Sequence, residues 1–90
     1  MKLGLKHILV RHSYEADDIL LQLSAGKNFE VLAQKFSQCS SGLSGGDLGV
    51  VSLEKLDPDF AEAAESLAVG ARSAKPVRSR FGYHIILRYK

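Results

Sequence analysis

Phe81-Gly82-Tyr83-His84-Ile85-Ile86-Leu87, near the C-terminus, reads as one buried strand. Side chains alternate between the two faces of a strand. Tyr83, Ile85 and Leu87 therefore face one way, and His84 and Ile86 the other. His84 is the unusual member, a polar ring within an apolar run. A second run of the same kind lies near the N-terminus, Leu5-Lys6-His7-Ile8-Leu9-Val10, and His7 interrupts it in the same manner. Side by side, the two strands put two histidines in the middle of one sheet. The residues between them leave that sheet and return to it.

The first strand ends at Arg11-His12, and Ser13 is suited to cap a helix by accepting a free N–H of its first turn. Ala16, Ile19, Leu20 and Leu23 then fall on one helical face, and Gly26 closes the helix. Asn28 caps a second helix with Phe29, Leu32, Ala33 and Phe36 on one face. A Ser/Gly stretch without periodicity, residues 37–46, reads as a loop. Asp47–Ser52 reads as a short strand. Asp57 then caps a third helix with Pro58 at its first position, where the missing N–H costs nothing. Phe60, Ala63, Ala64 and Leu67 make its apolar face, with Phe60 expected in a pocket and the other three in the core; Gly70 stops the helix. Lys75–Ser79 is a weak strand, and a tight turn through Arg80-Phe81-Gly82 feeds the last one. The order β-α-α-β-α-β-β predicts an α+β domain, with helices around a small, mostly antiparallel sheet.

Ninety residues imply one domain, 1–90, with a modest core. The net charge of +2 is scattered and leaves no footprint for nucleic acid. No apolar run approaches the ~20 residues of a membrane span, and Met1–Leu5 lacks the apolar segment of a signal peptide. These features predict a cytoplasmic monomer, or a domain cut from a longer exported chain. The single Cys39 excludes an internal disulfide.

Several constellations invite chemistry. His7, His84, Cys39 and Asp47 are metal-binding residue types, but their spacing matches no zinc signature, so no metal and no cofactor are expected. The plainer reading is a satisfied core pair of imidazoles. Cys39 with a histidine has the elements of a nucleophile and its base, but no oxyanion-binding signal accompanies it. Gly45–Gly49 lacks the Lys-Ser/Thr of a phosphate-binding loop and serves turn geometry better.

Taken together, His7-Ile8-Leu9-Val10, Phe36-Ser37-Gln38-Cys39-Ser40-Ser41, Gly45-Gly46-Asp47-Leu48-Gly49, Phe60 with its alanines, and Phe81–Ile86 resemble a parvulin-type peptidyl-prolyl cis-trans isomerase. The likeness runs from Lys6 to Arg88 and is greatest to the small single-domain bacterial members. It implies a four-stranded antiparallel sheet wrapped by helices, an FKBP-like architecture. It places the paired histidines at His7 and His84, a Cys-or-Asp position at Cys39 and a hydroxyl at Ser79. It places the proline pocket at Leu56, Phe60 and Phe81, with Asp57 at its rim. Leu56 stands where Met is more frequent, and Asp57 where Gln is common. The phospho-directed members carry a long basic loop after the first strand; here only Arg11-His12 precede the helix, which predicts no need for phosphorylation.

The resemblance implies isomerisation of X–Pro bonds in unphosphorylated peptides and unfolded proteins, assisting folding without covalent attack. The competing reading is a non-catalytic peptide-binding module of a chaperone, which would keep the apolar pocket but has no use for His7, Cys39, Ser79 and His84 together. A thiol hydrolase using Cys39 finds no donor site for a substrate carbonyl.

Overall fold

The computed structural model describes residues 1–90. Four strands, β1 (Lys2–Val10), β2 (Asp47–Ser52), β3 (Val77–Ser79) and β4 (Gly82–Arg88), form one antiparallel sheet in the order β2-β1-β4-β3. The first and last strands are thus the central pair. Their register sets His7 opposite Ile86 and Leu9 opposite His84. Both histidines therefore lie on one face of the sheet, on a diagonal of neighbouring pairs.

The alternation read from the sequence assigns the two cores. On one face Ile8, Val10 and Ile85 pack against helix α1 (Ser13–Ser24) and helix α2 (Phe29–Phe36) through Ala16, Ile19, Leu23, Phe29, Leu32 and Ala33. On the other face Leu3, Leu5 and Ile86 pack against helix α3 (Pro58–Glu65) through Phe60 and Ala64, with Leu53. His7 and His84 belong to this second face, beyond the apolar cluster.

The caps follow the expected chemistry with one exception. Asn28 Oδ1 accepts from Val31 N–H at 3.0 Å and Asp57 Oδ1 from Asp59 N–H at 3.0 Å. At α1 the cap is His12 rather than Ser13, because the Glu15 carboxylate reaches back to the His12 N–H at 3.0 Å and fixes the turn one residue earlier. Helix α3 ends at Glu65, short of Gly70, where the Ser66 hydroxyl donates to the Ala63 carbonyl at 2.7 Å. Leu67 therefore lies past the helix; it and Ala63 are half-buried, so Phe60 and Ala64 carry the buried face of α3.

The Ser/Gly stretch is more ordered than its composition implies. It contains a 3-10 turn over Ser40–Ser44, and it lies along the half of β1 that β2 leaves unpaired. His7 N–H donates to the Gly46 carbonyl at 2.9 Å, Gln38 N–H to the Leu9 carbonyl at 2.7 Å, and Leu9 N–H to Ser37 Oγ at 3.1 Å. The inner half of β1 thus satisfies its backbone groups, as a buried strand must. Gly46 is required at its place. Its φ is 85°, and a Cβ there would stand 2.4 Å from the His7 carbonyl oxygen. Gly46→Ala should cost about 1–3 kcal/mol of stability, read as a lowered urea midpoint with unchanged slope.

Candidate functional site

On the α3 face, β1 and β4 lay their imidazoles against each other. The His7 and His84 rings are 5.2 Å apart between centroids, at 20° to each other, and their Nδ1 atoms are 3.0 Å apart. The outer nitrogens are also engaged, His7 Nε2 with Ser41 Oγ at 3.1 Å and His84 Nε2 with Ser79 Oγ at 2.6 Å. Ser79 Oγ accepts from Phe81 N–H at 3.1 Å.

This network has a direction. Two facing Nδ1 atoms share one proton when both rings are neutral. Ser79 is buried and already accepts the Phe81 N–H, so its own hydrogen has His84 Nε2 as its recipient. His84 then carries its proton on Nδ1 and donates to His7 Nδ1, and His7 donates from Nε2 to Ser41. The reverse order would leave the buried Ser79 hydroxyl hydrogen without an acceptor. Burial, followed by the effect of His84, lowers the His7 pKa to about 4. Burial also lowers His84, partly offset by the Asp57 carboxylate. The pair is therefore neutral at pH 7.

Phe60 locks the pair in place. Its ring meets His7 edge-on at 5.4 Å and His84 at 4.9 Å, with interplanar angles of 80° and 86°. It is only 4% exposed and belongs to the α3 core cluster. One ring therefore serves both core and cavity. Phe60→Ala should cost about 3–5 kcal/mol of stability as well as altering the site.

A cavity of about 330 Å³ opens over the imidazoles. His7, Cys39, Leu56, Asp57, Phe60, Phe81 and His84 line it, as do Leu9, Leu48 and Lys55, which the sequence reading did not single out. Leu48 reaches it because the register between β1 and β2 slips at Leu5/Lys6, leaving Leu48 unpaired between Asp47 and Gly49. Phe81 stands at the rim, 60% exposed. Ser79 does not line the cavity and acts from behind His84. Cys39 is half-buried and free, and its thiol makes no hydrogen bond to either imidazole. Its position follows from Ser37, whose hydroxyl accepts from both Leu9 N–H and Cys39 N–H. Ser41, the far partner of His7, is the polar residue that sequence reasoning missed. It lay within a motif of the resemblance, but nothing in a serine-rich stretch marks which hydroxyl faces the imidazole.

A family model described as "Rotamase: PPIC-type PPIASE domain" matches residues 7–90. The chain belongs to this family. It is similar to the Foldase protein PrsA of Bacillus subtilis (strain 168), 41% identical over 86 residues, covering 94% of this chain and 29% of that protein. The crystal structure of PrsA from Bacillus subtilis superposes with a TM-score of 0.94 at 39% identity, covering 99% of this chain and 35% of that one. The solution structure of NmPin, the parvuline of Nitrosopumilus maritimus, superposes with a TM-score of 0.87 at 39% identity, covering 99% of this chain and 96% of that one. The chain thus spans about a third of the PrsA relatives it matches, and nearly all of NmPin. It is a PPIase domain of the parvulin family, as the motifs implied.

The buried pair gives the fold a pH dependence of fixed sign. The His7 pKa falls from 6.5 to about 4 on folding, so its contribution is complete above pH 6.5 and is lost as pH falls toward 4. Urea titrations from pH 7 to pH 4 should show about 3 kcal/mol more acid destabilisation in the wild type than in His7→Gln.

Proposed function

We propose that the 90 residues act as one isomerase domain that catalyses cis–trans rotation of X–Pro bonds in unphosphorylated peptides and unfolded polypeptides. The observation that carries this reading is an apolar cavity floored by a neutral, hydrogen-bonded imidazole pair. Only Arg11 and His12 separate β1 from α1, which supports independence from phosphorylation.

The reaction needs little chemistry. The X–Pro bond rotates slowly because its C–N bond has partial double-bond character, with a barrier of ~18–20 kcal/mol. Its two isomers differ by only ~0.5–1 kcal/mol, so no group need be transferred and neither product need be favoured. The site has to bind the twisted amide better than the planar one. Leu48, Leu56, Phe60 and Phe81 would hold the proline ring and exclude water. A dry surround disfavours the charge-separated planar amide relative to the twisted form, in which resonance is lost. His7 and His84, oriented by Ser41 and Ser79, would supply a fixed polar floor without a charge. Every 1.36 kcal/mol gained by the twisted state is tenfold in rate, so several modest contacts suffice.

Cys39 has an electrostatic role on this account. Its thiol has no hydrogen-bonded base among the imidazoles, and rotation requires no acyl intermediate. The resemblance allows Asp at this position, which fits a polar neighbour of the imide rather than a nucleophile.

The chain should accelerate proline-limited refolding and the isomerisation of unmodified X–Pro peptides in the presence of EDTA. Cys39→Asp should keep substantial activity and Cys39→Ser a smaller part. Binding of these peptides without turnover would instead mark a peptide-binding module. A substrate-mass adduct on Cys39 that forms and decays at the turnover rate, seen by intact-protein mass spectrometry, would overturn the rotational mechanism.

A further inference from the structure

The two edges of the sheet are built differently. β3 spans only Val77–Ser79, follows Lys75-Pro76 and carries Arg78 at its centre. Short length, proline and charge all keep an edge strand from pairing with another chain. β2 is twice as long, Asp47–Ser52, and from Leu48 to Ser52 it holds no charged residue and no proline.

The open side of β2 presents unused hydrogen-bonding groups. In an antiparallel ladder the backbone groups of successive residues point alternately toward the partner strand and away from it. Gly4 stands opposite Val50, but its N–H donates to the Lys90 carbonyl at 2.9 Å and its carbonyl accepts from Tyr89 N–H at 2.9 Å. Gly4 thus bonds on the side away from β2, and the N–H and C=O of Val50 point away from β1. Ser52, two residues on, shares this orientation. No turn or loop bonds to the backbone of either residue, and Val50 is 51% exposed.

β2 also borders the apolar cavity. Leu48, near its start, and Lys55, in the turn that follows it, both line that space. A chain that leaves the cavity over Leu48 therefore meets the open edge. Val50 and Ser52 lie ~7 and ~14 Å further along, a distance that two to four extended residues cover.

We propose that the open edge of β2 pairs as a strand with the segment of an unfolded polypeptide that flanks the proline held in the cavity. Such bonds are made by the main chain and take many sequences, which suits a site for unfolded chains. A second copy of this chain is a poorer occupant. β2 offers 6 residues, whereas a stable interface uses roughly 20–30 residues a side. Pairing this short is weak by itself, but a proline already bound makes it an intramolecular step. The contact lies outside the twisting bond and is the same in the planar and twisted states. It therefore lowers KM and leaves kcat unchanged.

This inference rests on the isomerase reading of the adjoining cavity, so affinity and turnover are measured separately on the whole chain. The peptides contain one X–Pro bond, either without a flank or with about eight alternating Thr and Ser residues before or after it. A flank on one side should tighten binding about tenfold, in low and high salt alike. N-methylation of alternate flank residues removes their N–H groups. One alternate set should abolish the gain and the other preserve it, because only every second residue of a paired strand bonds to its neighbour. Val50→Pro removes a donor that β1 does not use, at an edge position where proline is tolerated. It should cancel the gain while the flankless peptide turns over as in the wild type. The N-methyl series needs no variant, so it decides the matter where Val50→Pro does not fold.

Equal dissociation constants for flanked and flankless peptides would overturn the proposal. So would equal effects of the two methylated sets, a gain that survives in folded Val50→Pro, or a dimer of the wild type that Val50→Pro abolishes. A flank advantage with the N-methyl pattern but without turnover would leave the strand-pairing edge standing and remove the isomerase reading; turnover without that advantage would do the reverse.

Discussion

The contact between His7 Nδ1 and His84 Nδ1, 3.0 Å across the central strand pair, is the constraint on which the site depends. It joins residues 77 positions apart. It requires the β1/β4 register, since a slip of one residue would turn one imidazole to the opposite face. It also requires two outer hydroxyls. Ser79 comes from the strand beside β4, and Ser41 from a turn held against β1 by Gly46. Phe60, from α3, closes the pair from above. A turn, a helix and a strand from between the central strands are thus each tied to the pair.

Burial makes this pair informative. Two buried rings beside an apolar cluster are tolerated only when their nitrogens are satisfied, and every buried side-chain polar atom in the protein has a partner. The same burial that lowers both pKa values keeps the floor of the cavity uncharged. An uncharged, oriented floor under an apolar cavity is suited to a reaction in which no proton moves and only the polarity of an amide changes. Structure and proposed function thus use the same hydrogen bonds.

Much of this was legible in the sequence because it depends on short-range rules. Period-two alternation around His7 and His84 assigned both faces of the sheet, and Asn28 and Asp57-Pro58 marked two helix starts through their own capping chemistry. What was not legible depends on distant partners. Ser41 is one of several hydroxyls in the stretch 37–46, and only the 3-10 turn decides that it meets His7. Leu48 enters the cavity through a register slip set by pairing with β1. Phe60 has the spacing of a core residue and the position of a pocket residue; it is both, which no periodicity distinguishes.

The central claim is that the two imidazoles are neutral and hydrogen-bonded in one direction. The nitrogen-15 NMR spectrum of the two imidazoles at pH 7 tests it most directly. The account predicts His84 protonated only at Nδ1, His7 protonated only at Nε2, and both pKa values lowered from the ordinary histidine value by burial. An imidazolium at either position at pH 7, or the same tautomer in both rings, would contradict it.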